Sequence, residues 1–182
     1  MDQIEFNSPG HPGVNALRTS INNQAKAAGV PPCALAAVVA NETGGQNILQ
    51  HGMPPGPGCG VGLCQITSGV DWTHMDQPTY QADGRAWALL DPSSNLYVAA
   101  KYYLAPTIFD LLDDREKHPA QYAEFSSDIL FFVFAAYNAG TGTVISALRA
   151  GHNPDGYTTA RYAERAMLFY NEFLTESHEH AK

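Results

Sequence analysis

A helix that is almost wholly apolar and then ends on an acid sets the strongest limit on how this chain can fold. Pro32–Glu42 reads PCALAAVVANE. Leu35, Val38, Val39 and Glu42 fall at i, i+3, i+4 and i+7, one face of an α-helix. Three of the four are aliphatic and predict contact with a core; the fourth is a carboxylate. Thr43-Gly44-Gly45 follows directly, so Glu42 is expected in the last turn before a glycine cap. Apolar surroundings desolvate a carboxylate there, and the negative end of the helix dipole lies beside it; both raise its pKa. A carboxyl that stays protonated near neutral pH suits a general acid for glycoside cleavage. The plainer alternative is that Glu42 turns at the helix end and reaches water, as most helix-end glutamates do.

The rest of the chain reads as mainly helical. Val14, Leu17, Ile21, Ala25 and Ala28 predict a first helix with Pro12 near its start, and Pro31-Pro32 separates it from the Glu42 helix. Residues 44–61 hold five glycines up to Gly58 and three prolines, which predicts a long loop or irregular hairpin. Gly62–Asp71 reads as a short helix. Asp91 caps a helix beginning at Pro92 and running to about Leu104; Pro106 is expected to interrupt it before Ile108–Arg115 continues. Asp128–Ala139 is apolar nearly all round and ends at Gly140, which predicts a buried helix with Phe131, Phe132 and Phe134 in the core. Thr143–Ala150 is short. Tyr162, Ala166, Tyr170, Phe173 and Leu174 mark the last helix. No repeat is visible, so residues 1–182 are expected to form one domain, with 1–10 and 176–182 as flexible ends.

Five motifs in order resemble a known family, the soluble-type lytic transglycosylases, whose fold is shared with goose-type lysozyme. They are Glu42-Thr43, Gly62-Leu63-Cys64-Gln65-Ile66, Asp91-Pro92-Ser93-Ser94-Asn95-Leu96, Ala136-Tyr137-Asn138-Ala139-Gly140 and Tyr162-Ala163. The resemblance spans about residues 30 to 175. It implies a lysozyme-like helical domain (goose-type, SLT) with a small irregular β-element or loop beside the cleft. It implies Glu42 as the catalytic acid and Gln65 lining the cleft near a sugar N-acetyl group. It likewise implies Tyr137 and Asn138 as cleft residues, and Tyr162 as the tyrosine whose hydroxyl faces the catalytic carboxyl. Two departures stand out. Cys64 occupies the usual methionine position, and Gly52–Gly62 (GMPPGPGCGVG) lacks the serine that often contacts substrate.

The reaction implied by the resemblance is cleavage between N-acetylmuramic acid and N-acetylglucosamine in peptidoglycan, closing a 1,6-anhydro ring. Hydrolysis needs a second carboxylate to activate water or act as nucleophile. From Thr43 to Val70 there is no Asp or Glu, although goose-type lysozymes place their water-activating acids in that interval. Asp71 is the first acid after Glu42 and the candidate secondary carboxylate. A hydrolytic muramidase or chitinase on the same scaffold, and a glycan-binding domain without catalysis, are the alternatives.

Other classes find less support. The formal net charge is −8, from 10 basic and 18 acidic residues, with no basic cluster, which argues against nucleic acid. The longest apolar run, Ile129–Ala136, is too short to cross a bilayer. None of the seven histidines has metal-ligand spacing, so neither metal nor cofactor is expected; His178-Glu179-His180 reads as a disordered tail. Trp72 is a burial or sugar-stacking candidate. Cys33, Cys59 and Cys64 are odd in number. Cys59–Cys64 or Cys33–Cys59 bridges are conceivable; the favoured reading packs Cys64 as a small buried apolar residue, with a Cys/His nucleophile as its rival. The N-terminal MDQIEFNSPG has no basic residue and no apolar stretch, so no signal peptide is expected. The expected setting is extracellular or periplasmic, or release from a phage-infected cell, with peptidoglycan strands as partner and a monomeric state.

Overall fold

In the computed structural model, residues 6–50, 60–67 and 89–179 are described. Elements are numbered below in chain order among these residues. Asp71, Trp72, Cys59 and the tip of the C-terminal tail lie outside them.

The Glu42 helix, α3 (Pro32–Thr43), runs through the core. Pro31 precedes it in extended backbone and Pro32 occupies its first turn, where the missing N–H costs nothing. Gly44, at φ 64°, ends it in the left-handed conformation a side chain resists. Burial exceeds the one-face expectation: every residue from Pro32 to Ala40 is buried. The alanines leave room for neighbours on every side, so only the last turn reaches the surface. Helix α2 (Arg18–Ala28) lies against it, preceded by a short α1 (Pro12–Ala16). The expected first helix is thus broken in two at Leu17.

Two strands form the β-element, β1 (Gly60–Val61) and β2 (Ile66–Thr67), antiparallel with Val61 opposite Ile66. Over residues 62–67 this corrects the expected helix; its remaining residues to Asp71 lie outside the described ones. The residues Gly62–Gln65 form a turn, with Gly62 at φ 75° and Gln65 at φ 48°. The buried Asn95 side chain holds that turn from below. Its amide donates to Val61 O (2.8 Å) and Leu89 O (3.0 Å), and its oxygen accepts from Cys64 N (2.8 Å). A Cβ at Gly62 would lie 2.4 Å from Asn95 Nδ2, so glycine is required there by space as well as by φ.

Helix α4 (Pro92–Val98) starts as expected, with the Asp91 carboxylate accepting from Ser94 N at 2.8 Å. It passes into a π-helical turn, Ala99–Leu104, and on into α5 (Ala105–Lys117). Pro106 therefore does not interrupt the helix. A widened turn just before a proline relieves the clash of its ring with the preceding carbonyls. Helix α6 (Pro119–Ala123) follows. Helix α7 (Ile129–Ala139) is capped by Asp128 and buries Phe132, Val133 and Phe134; Phe131 is half-buried at its edge. After α8 (Thr141–Arg149) and a 3-10 turn (Pro154–Tyr157), α9 (Tyr162–Glu179) packs along α3 and α7.

Near both ends the described residues pack onto the body, while residues 1–5 and 180–182 of the expected flexible ends lie outside them. Phe6 is fully buried against Phe173 (ring centroids 5.0 Å), Ser8 hydrogen-bonds Glu172, and α9 continues to Glu179. Among the described residues no helix is long and apolar enough to cross a membrane.

Candidate active site

Three elements converge on Glu42. Helix α3 carries it in its final turn, where the side chain is half-buried. Helix α9 supplies Tyr162, 3% exposed, whose hydroxyl donates to Glu42 Oε1 at 2.7 Å. Helix α7 supplies Tyr137, whose ring stacks on that of Tyr162 (6.3 Å, 16°) and whose hydroxyl donates to Cys64 O at 2.8 Å. Tyr103, on the π-helical turn, meets Tyr137 in a tilted contact, ring centroids 5.9 Å apart at 49°. The hairpin closes the fourth side. Thr43, beside Glu42, donates its hydroxyl to Leu63 O at 2.9 Å and ties the end of α3 to the turn.

The electrostatics disfavour the charged form of Glu42. Burial pushes the Glu42 carboxyl above the usual glutamate range; the Tyr162 hydrogen bond and the Arg165 charge oppose this without cancelling it. Tyr162 is itself held well above the ordinary tyrosine range by burial, then by the Glu42 charge and hydrogen bond, so it remains a donor. Tyr137 is raised well above its usual range, chiefly by burial. Arg165 lies three residues beyond Tyr162, on the same face of α9.

Gln65 and Asn138 occupy different roles from Tyr162. The Gln65 amide donates to Gly62 O (2.8 Å) and Ile48 O (3.2 Å), bracing the hairpin wall. Asn138 is exposed at the end of α7, and its oxygen accepts from Thr159 N at 2.8 Å. Glu42 is thus joined to Tyr162 by a hydrogen bond and Tyr162 to Tyr137 by ring stacking, while Gln65 and Asn138 bond to the hairpin and to Thr159 instead.

The cysteines fit the packing reading. Cys33 and Cys64 are both free and buried. Burial, with the Glu42 charge adding to it, holds the Cys64 thiol well above its usual range; burial pushes Cys33 up to about 11. Neither supplies the thiolate a nucleophile needs.

Two residues that matter to the site escape sequence reasoning. Asn95 sits in a motif read there only as a helix start, yet its side chain fixes the hairpin. Asp155, 4% exposed, accepts from Ala163 N (2.8 Å) and Glu164 N (3.1 Å) and caps α9 eight residues along the chain. Between them, Ala160 (φ 51°) and Arg161 (φ 55°) adopt the left-handed conformation, at roughly 1–2 kcal/mol each. The Asn-Pro-Asp-Gly turn chemistry at 153–156 is the only local signal.

No curated protein matches the chain. A family model described as "Transglycosylase SLT domain" matches residues 19–159. Glu42, Gln65, Tyr137 and Asn138 fall inside that span and Tyr162 just beyond it. The chain belongs to the transglycosylase SLT domain family.

Proposed function

We propose that this protein is a lytic transglycosylase that cleaves the β-1,4 bond between N-acetylmuramic acid and N-acetylglucosamine in peptidoglycan. The observation that carries this reading is the Tyr162–Glu42 pair: a half-buried acid of raised pKa held by a phenol at 2.7 Å. Glu42 protonates the glycosidic oxygen as the bond breaks. The muramoyl acetamido group stabilises the charge that develops at the anomeric carbon. The carboxylate left behind then takes the proton from the muramoyl 6-hydroxyl, whose oxygen closes the 1,6-anhydro ring. One carboxyl serves as acid and then base, and no water enters.

The absence of Asp and Glu from Thr43 to Val70 supports an internal acceptor over water. A sugar hydroxyl held against its own anomeric carbon competes at high effective molarity. Tyr137, Asn138 and Gln65 are the proposed walls for the sugar, and Asp71 the residue that would rescue hydrolysis. The protein acts outside the cytoplasm on glycan strands, as a monomer without cofactor. Digestion of purified peptidoglycan, followed by mass measurement of the fragments, tests the reading, because the anhydro product is one water lighter than the hydrolysed one.

A further inference from the structure

The segment between α8 and α9 does more than connect them. Its buried carboxylate, Asp155, takes donors from three directions. Ala163 N and Glu164 N donate at 2.8 and 3.1 Å, and the Thr158 hydroxyl donates as well. The Thr158 oxygen in turn accepts from Tyr162 N at 2.9 Å. Asn153 holds Asp155 N at 3.0 Å, and Asn138 holds Thr159 N at 2.8 Å. The two residues immediately before Tyr162, Ala160 and Arg161, sit at positive φ. A non-glycine pair in that conformation persists only when its surroundings impose it. Here the surroundings are the Asp155 cap on one side and the start of α9 on the other.

We infer that Asp155 is a positioning residue for the reaction: by capping α9 and fixing Thr158, it sets where the Tyr162 hydroxyl meets Glu42. The inference rests on the proposed role of Glu42. A chain of contacts runs from the Asp155 carboxylate through Thr158 to the Tyr162 backbone, and from the Tyr162 hydroxyl to Glu42 Oε1. A small rotation at the head of α9 is amplified along the tyrosine, because the hydroxyl lies at the far end of a rigid ring. Asparagine at 155 cannot substitute. Its oxygen can serve one backbone N–H, but its own NH2 then faces the other, donor against donor. The carboxylate is needed for its acceptors on both sides.

The groups facing Glu42 among the described residues are Tyr162 and Arg165 from α9, Cys64 from the hairpin turn and Tyr137 from α7. Of these, Tyr162 and Arg165 stabilise its charged form. Displacing the Tyr162 hydroxyl removes the hydrogen bond that holds the Glu42 pKa down, so the pKa must rise.

The experiment uses D155N, T158V, Y162F and the D155N/Y162F double variant of the full chain. Two readouts are taken: the Glu42 titration by carbon NMR with labelled glutamate, and kcat and KM on a soluble peptidoglycan oligomer across pH. Expected for D155N is a kcat lower by about tenfold with KM changed by less than about twofold. The Glu42 titration should move upward, as it does in Y162F, and D155N should add little once Tyr162 is already Phe. T158V should move the titration in the same direction and decides the matter if D155N does not fold. A D155N or T158V protein that is less heat-stable but leaves the Glu42 titration unmoved, or effects that add fully to Y162F, overturns the inference. The titration does not depend on turnover. Failure of the wild type to cleave peptidoglycan therefore counts against the proposed function, and an unmoved titration counts against Asp155.

Discussion

At the residue scale, the central fact is that Glu42 is held in conditions unfavourable to its charge. Glu42→Gln keeps the shape and the acceptor for Tyr162 but removes the proton, so cell-wall cleavage should fall at least about a hundredfold. The same substitution should stabilise the fold at neutral pH, because it removes the cost of desolvating a charge. The sign follows from the raised folded-state pKa. The cost of ionised Glu42 is absent below the unfolded glutamate pKa and grows as pH rises through the folded one. The advantage of Gln over Glu in thermal unfolding should accordingly vanish in acid. Tyr162→Phe should lower the rate while leaving glycan binding in place. Cys64→Met should be tolerated within roughly 1–3 kcal/mol if the added bulk strains the packing, and a thiol-blocking reagent should leave activity unchanged. Glu42 was legible in the sequence because an acid breaks an aliphatic face. Asp155 was not, because two of its three partners are backbone N–H groups eight and nine residues on, which no side-chain pattern reveals.

At the scale of elements, helix starts and stops were readable wherever a capping residue or a glycine marked them. Asp91, Asp128, Gly44 and Gly140 all end or begin helices at the expected places. Two elements were misread for physical reasons. Gly62–Gln65 looks helical by hydrophobicity, but the turn is set by positive φ at both ends and by Asn95, which reaches it from 31 residues away in the case of Cys64 N. Pro106 looks like a break, but the π-helical turn before it absorbs the ring. The hairpin gives a direct test. Asn95→Ala removes the partners of Val61 O, Leu89 O and Cys64 N at once. Unfolding by denaturant should show a loss of about 3 kcal/mol, within the usual cost of leaving buried backbone groups unsatisfied. Activity should fall further than stability alone explains, because the hairpin and Thr43 together hold the end of α3.

At the scale of the whole molecule, the fold wraps a small-residue helix on all sides and leaves only its acidic last turn near the surface. Membership of the SLT family agrees with that layout and with the order of motifs along the chain. What the layout adds is a division of labour: α9 and α7 supply the tyrosines beside the acid, and the hairpin turn ties down the end of α3 through Thr43. The central claim is that Glu42 acts alone and that the substrate's own hydroxyl is the acceptor. Asp71→Asn should on that account leave the reaction unchanged. The most direct test is the mass of the muramoyl fragments released from purified peptidoglycan by the wild-type protein. Fragments one water lighter than their hydrolysed counterparts, ending in 1,6-anhydromuramic acid, are the predicted result. Reducing muramic ends carrying the full water would contradict the account and show that a second group activates water beside Glu42.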